Sequence, residues 1–169
     1  MQQTGTSALR RAVPEDADAV RAVVTAAYEP WIPVIGMRPM PLEADYDQLI
    51  DAGSVTVLLE PGAGRIAALI VLVPEPEVLL IENVAVHPGF QGRGFGRTLL
   101  AHAEAVARSA GLRTVRLYTH RLMASNIALY ERLGYAITTR GTQEGRPVVH
   151  LAKSLPPVNT GGGSGSPGN

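Results

Sequence analysis

The chain has 169 residues, a length that suits one domain with a sizeable core, and 46% of them are hydrophobic. Its 15 basic and 15 acidic residues balance, so it lacks the basic excess of a general nucleic-acid or acidic-membrane binder. There is no cysteine, which excludes disulfides, thiolate metal sites and a cysteine nucleophile. The four histidines (His87, His102, His120, His150) are scattered and form no zinc pattern, so no metal is expected. Met1 to Ser7 is polar, without the apolar centre of a signal peptide, and no apolar run nears the roughly 18 residues that span a membrane. A cytoplasmic protein with no membrane or nucleic-acid partner is the expectation.

Ala8 to Val13 reads as a first strand, followed by Pro14-Glu15-Asp16, whose acids suit a helix start. Ala19, Val20, Val23, Val24 and Ala27 recur at helical spacing, so that helix should run to about Tyr28. Residues 29–41 hold four prolines and a glycine and read as an apolar loop, with Trp31, Ile32, Val34, Ile35 and Met37 available to line a pocket. Leu42 to Ala52 reads as a second helix ended by Gly53. Ser54 to Glu60 and Arg65 to Val73 are strand-like, joined by Pro61-Gly62-Ala63-Gly64, which is hairpin chemistry. Val78 to Val86 is the next strand. A long helix from Gly94 to Ala110 carries an apolar stripe of Phe95, Leu99, Leu100, Ala103, Val106 and Ala107. Arg113 to His120 should be a strand, Ser125 to Leu133 a helix, and Tyr135 to Arg140 with Pro147 to Ala152 a closing hairpin. The domain should span 1–155, and 156–169 reads as a flexible Gly/Ser/Pro-rich tail that cannot bury enough apolar surface to order itself. The order β-α-α-β-β-β-α-β-α-β-β predicts an α/β (α+β) fold: a mixed, largely antiparallel sheet of six to seven strands flanked by about four helices.

Gln91-Gly92-Arg93-Gly94-Phe95-Gly96 lies between a strand and a helix. Such a turn brings backbone close to a ligand, and the unpaired first-turn N–H groups with the helix dipole favour an anion. A dinucleotide fingerprint fails, because Leu99 stands where a third glycine is needed and hairpins precede the loop. A Walker loop fails too, because the only lysine is Lys153. A glycine-rich turn without any ligand remains the plain alternative.

The wider stretch, Val84-Ala85-Val86-His87-Pro88-Gly89-Phe90-Gln91-Gly92-Arg93-Gly94-Phe95-Gly96, closely resembles the acyl-CoA-binding motif of the GCN5-related N-acetyltransferase (GNAT) superfamily, Val-x-Pro-x-x-Gln-x-x-Gly-x-Gly. Asn126 to Tyr135 is similar to a second motif of that family, a helix ending Leu-Tyr-x-x-Leu-Gly-Phe/Tyr, and element order agrees from about Ala8 to Leu155. The resemblance implies acetyl-CoA as co-substrate. The backbones of Val84, Ala85 and Val86 would bind the pantetheine arm. The N–H groups of Gln91, Gly92, Arg93, Gly94, Phe95, Gly96, Arg97 and Thr98 would cradle the pyrophosphate. Arg93 and Arg97 would add positive charge, or be solvated surface residues. Many family members carry an asparagine seven residues before the motif tyrosine. Here Met123 stands there, and Asn126 either takes over its cofactor contact or caps the helix.

Direct transfer to an amine needs a proton acceptor, oxyanion stabilisation and a proton for the leaving thiolate. By the resemblance Tyr130 lies near the CoA sulfur and is the candidate acid, a phenol protonated at neutral pH; alternatively it only packs beside Ile127 and Leu133. Glu82 is the candidate base, a carboxylate in an apolar run where desolvation would raise its pKa; alternatively it is bound structurally by an arginine or a backbone N–H. Strict alternation puts Glu82 on the face of Val84 and Val86. Tyr118, His120 and His87 are further base candidates, and His102 reads as structural. Tyr28, Trp31, Tyr46 and Tyr118 are candidate walls for the acceptor. A small-molecule amine is the expected acceptor. A protein N-terminus or lysine, and an acyl-CoA-binding module without turnover, are the rivals. A homodimer is suggested by the family alone.

Overall fold

The computed structural model describes residues 8–157; the polar N-terminal segment and all but Pro156 and Pro157 of the expected tail lie outside them. A seven-stranded sheet has the order β1-β2-β3-β4-β5-β7-β6. Its strands are β1 (Ala8–Arg11), β2 (Val55–Leu59), β3 (Ile66–Pro74), β4 (Leu79–Val86), β5 (Thr114–His120), β6 (Ala136–Gln143) and β7 (Arg146–Ser154). All neighbours are antiparallel except β4 and β5, which are parallel and joined through a helix. The expected mixed, largely antiparallel sheet is what forms.

The helices are α1 (Ala17–Tyr28), α2 (Ile32–Ile35), α3 (Tyr46–Asp51), α4 (Phe95–Ser109) and α5 (Ala124–Arg132). The expected loop at 29–41 is in part helical: a 3-10 turn over Glu29–Trp31 leads into α2, and another covers Met40–Glu43. Its prolines start these short turns, where a missing N–H costs nothing. The helix expected from Leu42 begins at Tyr46, because the Asp45 carboxylate accepts the Gln48 N–H at 3.0 Å and fixes the cap there. The closing hairpin is longer than expected at both ends and turns on Glu144-Gly145 alone.

Two cores pack on opposite faces of the sheet. Val20, Val23 and Val24 of α1 and Ile50 of α3 meet Val55, Val57, Leu69 and Val71. Phe95, Leu99, Leu100, Ala103 and Ala107 of α4 meet Leu58, Ile70, Leu79, Ile81 and Leu117, with Tyr130 of α5 on that side. The predicted α4 stripe is therefore the buried one, save that Val106 sits at its half-buried margin. Each large aliphatic side chain so buried contributes about 1.5–3 kcal/mol.

Leu99 is fully buried at the centre of this second core. Leu99→Ala should lower unfolding free energy by about 2–5 kcal/mol, read as a lower urea midpoint with an unchanged slope. A loss under 1 kcal/mol would show that α4 does not anchor the sheet.

Candidate active site

β4 and β5 pair only from Leu79 with Val115 to Ile81 with Leu117, and then part. Glu82 is where β4 changes face. Ile81 opposes Leu72 and Asn83 opposes Val71, so Glu82 is an extra, bulged residue. The bulge breaks the alternation assumed from sequence. Leu79 and Ile81 face the α4 core, Val84 and Val86 face it too, and Asn83 and Ala85 face α1. The His87 N–H donates to the Ala67 carbonyl, so the ladder turns Ala85 toward β3 and leaves Val84 and Val86 directed into the gap. Of the three residues expected to bind an extended arm, Ala85 has already spent its backbone groups on β3. In the gap the Val84 carbonyl accepts from the Tyr28 hydroxyl at 2.9 Å, and the Val86 carbonyl from Gln91 Nε2 at 3.5 Å.

One side of the gap opens into a groove of about 740 Å³, walled by Val84, Val86, the glycine loop, α4 and α5. Gly92 and Gly94 both have φ of 79°, the left-handed region, and a Cβ built on either meets nothing within 4 Å, so open space lies in front of the turn. Gly94 caps α4 without any side-chain bond, and the N–H groups of Gly94, Phe95, Gly96 and Arg97 have no acceptor among the described residues. Thr98 is different: its N–H donates to the Gly94 carbonyl at 3.0 Å and closes the first helical turn, so it is not free for a ligand. Arg97 lines the groove, whereas Arg93 lies over the Phe90 ring at 5.2 Å. Asn126 is inside α5, whose cap is Met123, and its amide touches only the Met123 sulfur at 3.7 Å. It is therefore a groove wall and not a helix cap. Trp31, expected on the acceptor side, lies on this groove instead. Ser125 and Arg132 line it as well. Arg132 was legible only as part of the second motif, with no signal that it faces inward.

The other side opens into a cavity of about 310 Å³. Tyr28, Val84 and Tyr130 line both spaces, so the groove and the cavity meet at these residues. Tyr130 is 8% exposed, and its hydroxyl makes no hydrogen bond among the described residues. Burial pushes it up to about 12. Glu82 lines the cavity as an exposed side chain with no hydrogen bond or ion pair among the described residues. Desolvation by the walls alone raises its carboxyl. The structural alternative for Glu82, an arginine or backbone partner, is thereby absent among those residues. Tyr118 lines the cavity and stacks at 5.7 Å on His150. Tyr46 does so too, accepting from Asn83 Nδ2 at 3.0 Å and donating to the Pro41 carbonyl at 2.7 Å.

The histidines read less well as bases. His87 Nδ1 accepts from the Gly89 N–H at 3.0 Å and caps a turn. His120 Nδ1 accepts from the Leu122 N–H at 3.1 Å, which puts the neutral ring's proton on Nε2; burial and then Arg121 and Arg146 lower its pKa. Three charged residues of the cavity escaped the sequence: Glu43, Glu144 and Arg146. Arg146 is 13% exposed in its side chain. It donates to the Arg38 carbonyl at 3.0 Å and to Glu43 at 3.0 Å, joining the β6–β7 hairpin to the segment before α3.

A family model described as the acetyltransferase (GNAT) family matches residues 20–135. The chain belongs to the GNAT family. Over 120 residues it is 38% identical to the mycothiol acetyltransferase of Cellulomonas flavigena, covering 70% of this chain and 32% of that one. Over 96 residues it is 38% identical to N-alpha-acetyltransferase 80 of Mus musculus, covering 54% and 27%. The chain thus spans about a third or less of the length of these curated relatives. The GNAT fold is also that of the PaiA N-acetyltransferase of Thermoplasma acidophilum, solved in complex with coenzyme A, with TM-score 0.75, 16% identity, and 89% of this chain and 99% of that one covered. No helix among the described residues is long and apolar enough to cross a membrane.

The raised carboxyl has a consequence for stability. In the unfolded chain Glu82 titrates near the ordinary 4.5, so in the window above 4.5 the folded GNAT domain binds more protons than the unfolded chain. Stability from this group therefore falls as pH rises through the raised value. Glu82→Gln should melt higher than the parent at about pH 7.5, with the gap closing below about pH 4.5. A variant that melts lower at neutral pH would mean that Glu82 has a stabilising partner.

Proposed function

We propose that the chain transfers the acetyl group of acetyl-CoA directly to a primary amine of a small molecule. The observation that carries this reading is the junction at Tyr28, Val84 and Tyr130. It joins an anion-accepting groove to a cavity that holds a desolvated, unpaired carboxylate. The free N–H groups of Gly94 to Arg97, with Arg97 nearby, would hold the pyrophosphate. The gap-facing backbones of Val84 and Val86 would align the pantetheine arm, bringing the thioester to the junction.

The chemistry then balances in two steps. The amine nitrogen attacks the thioester carbonyl, a C–N bond forms, and the oxyanion is stabilised by a gap-facing N–H of β4. Glu82 takes the ammonium proton, directly or through a water, the C–S bond breaks, and the products are the acetamide and CoA thiol. The raised Glu82 carboxyl is a better base than an ordinary one. Tyr130 serves as a hydrogen-bond donor to the departing sulfur. Full proton transfer from a phenol near 12 to a thiolate whose acid has a pKa of about 8.5 runs uphill by about 5 kcal/mol, whereas a bond donated to a charged acceptor stabilises by about 1.5–3 kcal/mol.

Mycothiol acetyltransferase and the bacterial [ribosomal protein bS18]-alanine N-acetyltransferase among the relatives point to small-molecule and protein acceptors respectively. The Arg146 tie over the cavity favours the first, because a protein terminus needs an open groove there.

Tyr130→Phe should lower kcat about 10–100-fold and leave acetyl-CoA affinity unchanged, measured by thiol release and by titration of acetyl-CoA. Unchanged turnover removes Tyr130 from the chemistry. Acetyl-CoA binding without thiol release across a panel of small amines and peptides would favour the binding module.

A further inference from the structure

The cavity is lined by three carboxylates, Glu43, Glu82 and Glu144, and by one fixed cation, Arg146. His120, also on the wall, is held neutral. Arg146 is committed to Glu43 at 3.0 Å and to the Arg38 carbonyl, and reaches Glu144 only at 3.7 Å. Glu82 and Glu144 are thus left without a hydrogen-bonded partner among the described residues, and the cavity carries a surplus of negative charge.

Two carboxylates need two cations, and the reacting amine supplies one. Both act on the Tyr118 phenol, which places Glu144 and Glu82 within electrostatic reach of the same ring. Between them the lining is apolar, with Ile35, Met40, Leu49, Leu117 and Val148. The Tyr130 hydroxyl, more than nine-tenths buried and unpartnered, marks the reacting end. Glu144 marks the other, at the tip of the β6–β7 hairpin with φ of 48°. That backbone conformation favours glycine, asparagine or aspartate, so a glutamate there is held at a local cost.

We propose that the acceptor is a small aliphatic diamine, whose reacting nitrogen lies between Glu82 and Tyr130 and whose second ammonium is held by Glu144 against the Tyr118 ring. The apolar wall between takes the methylene spacer, and the ring face adds a cation–π contact to the ion pair. This rests on the acetyl-transfer reading above, and deepens it to a substrate class. The same charges disfavour acidic acceptors, since a carboxylate beside Glu82 and Glu144 is repelled.

The experiment compares 1,4-diaminobutane and 1,5-diaminopentane with n-butylamine and n-pentylamine. It uses the full chain with acetyl-CoA for thiol release, and with CoA for calorimetric binding of each amine. The diamines should exceed the length-matched monoamines about tenfold in kcat/KM and in affinity. In Glu144→Gln that ratio should fall about threefold or more, through KM rather than kcat. Glu77→Gln, the same charge change on an exposed residue outside both cavities, should leave the ratio as in the parent. Equal handling of diamines and monoamines, or equal effects of the two variants, overturns the proposal while leaving acetyl transfer intact. Absence of thiol release from every amine overturns the transfer reading, and the binding ratio then still decides between a diamine site and none.

Discussion

The candidate site depends on where two parallel strands stop pairing. β4 and β5 are held together from Leu79 to Ile81 and by nothing beyond. Extending that ladder by two residues would consume the backbone groups of Val84 and seal the passage between groove and cavity. The bulge at Glu82 prevents it, since the extra residue re-aims β4 and increases its local twist. One inserted residue thus produces the gap, turns Glu82 toward the cavity and presents Val84 and Val86 as an unpaired edge. The exposed edge is protected from aggregation by its position inside the protein, between α1, α5 and the glycine loop.

Polar groups around the gap divide into satisfied and unsatisfied ones. Tyr28, Asn83, Tyr46 and the Pro41 carbonyl form a continuous hydrogen-bonded chain from β4 to the segment before α3. Such a buried network rigidifies the wall on which it lies. Tyr130 and Glu82 stand outside it, with a hydroxyl and a carboxylate that the described residues leave unpaired. The contrast separates the scaffold from the groups available for chemistry more sharply than burial does, because Tyr28 and Tyr130 are equally buried, at 8% each.

Much of this was legible in the sequence, where the signal is local. The α4 stripe, the glycine turn and the hairpin chemistry near Pro61 each depend on a few neighbouring residues, and all formed as read. The family motifs pointed to Tyr130 and to the loop. The bulge was not legible, because a run such as Val78 to Val86 alternates equally well with or without a slip at Glu82. Arg146, Glu43 and Glu144 were invisible for another reason: they meet only through the sheet order that brings β7 beside β5. Trp31 misled because an aromatic in a proline-rich segment suits either space. Thr98 misled because a helix's first N–H to be satisfied is fixed by its cap, here Gly94, and not by a motif's length.

The Arg146 tie also bears on how the molecule assembles. The bond from Arg146 to the Arg38 carbonyl spans 108 residues of chain, whereas the strand, turn and helix that frame the loop are contiguous between Leu79 and Ser109. Closing so long a loop costs more entropy than winding a local strand–turn–helix unit, and the cost is met only when β7 is in place. The loop side of the molecule can therefore organise while the chain is still growing. The roof over the cavity waits for almost the last strand, so a chain stopped short of β7 keeps its turn and helix but has no enclosed chamber.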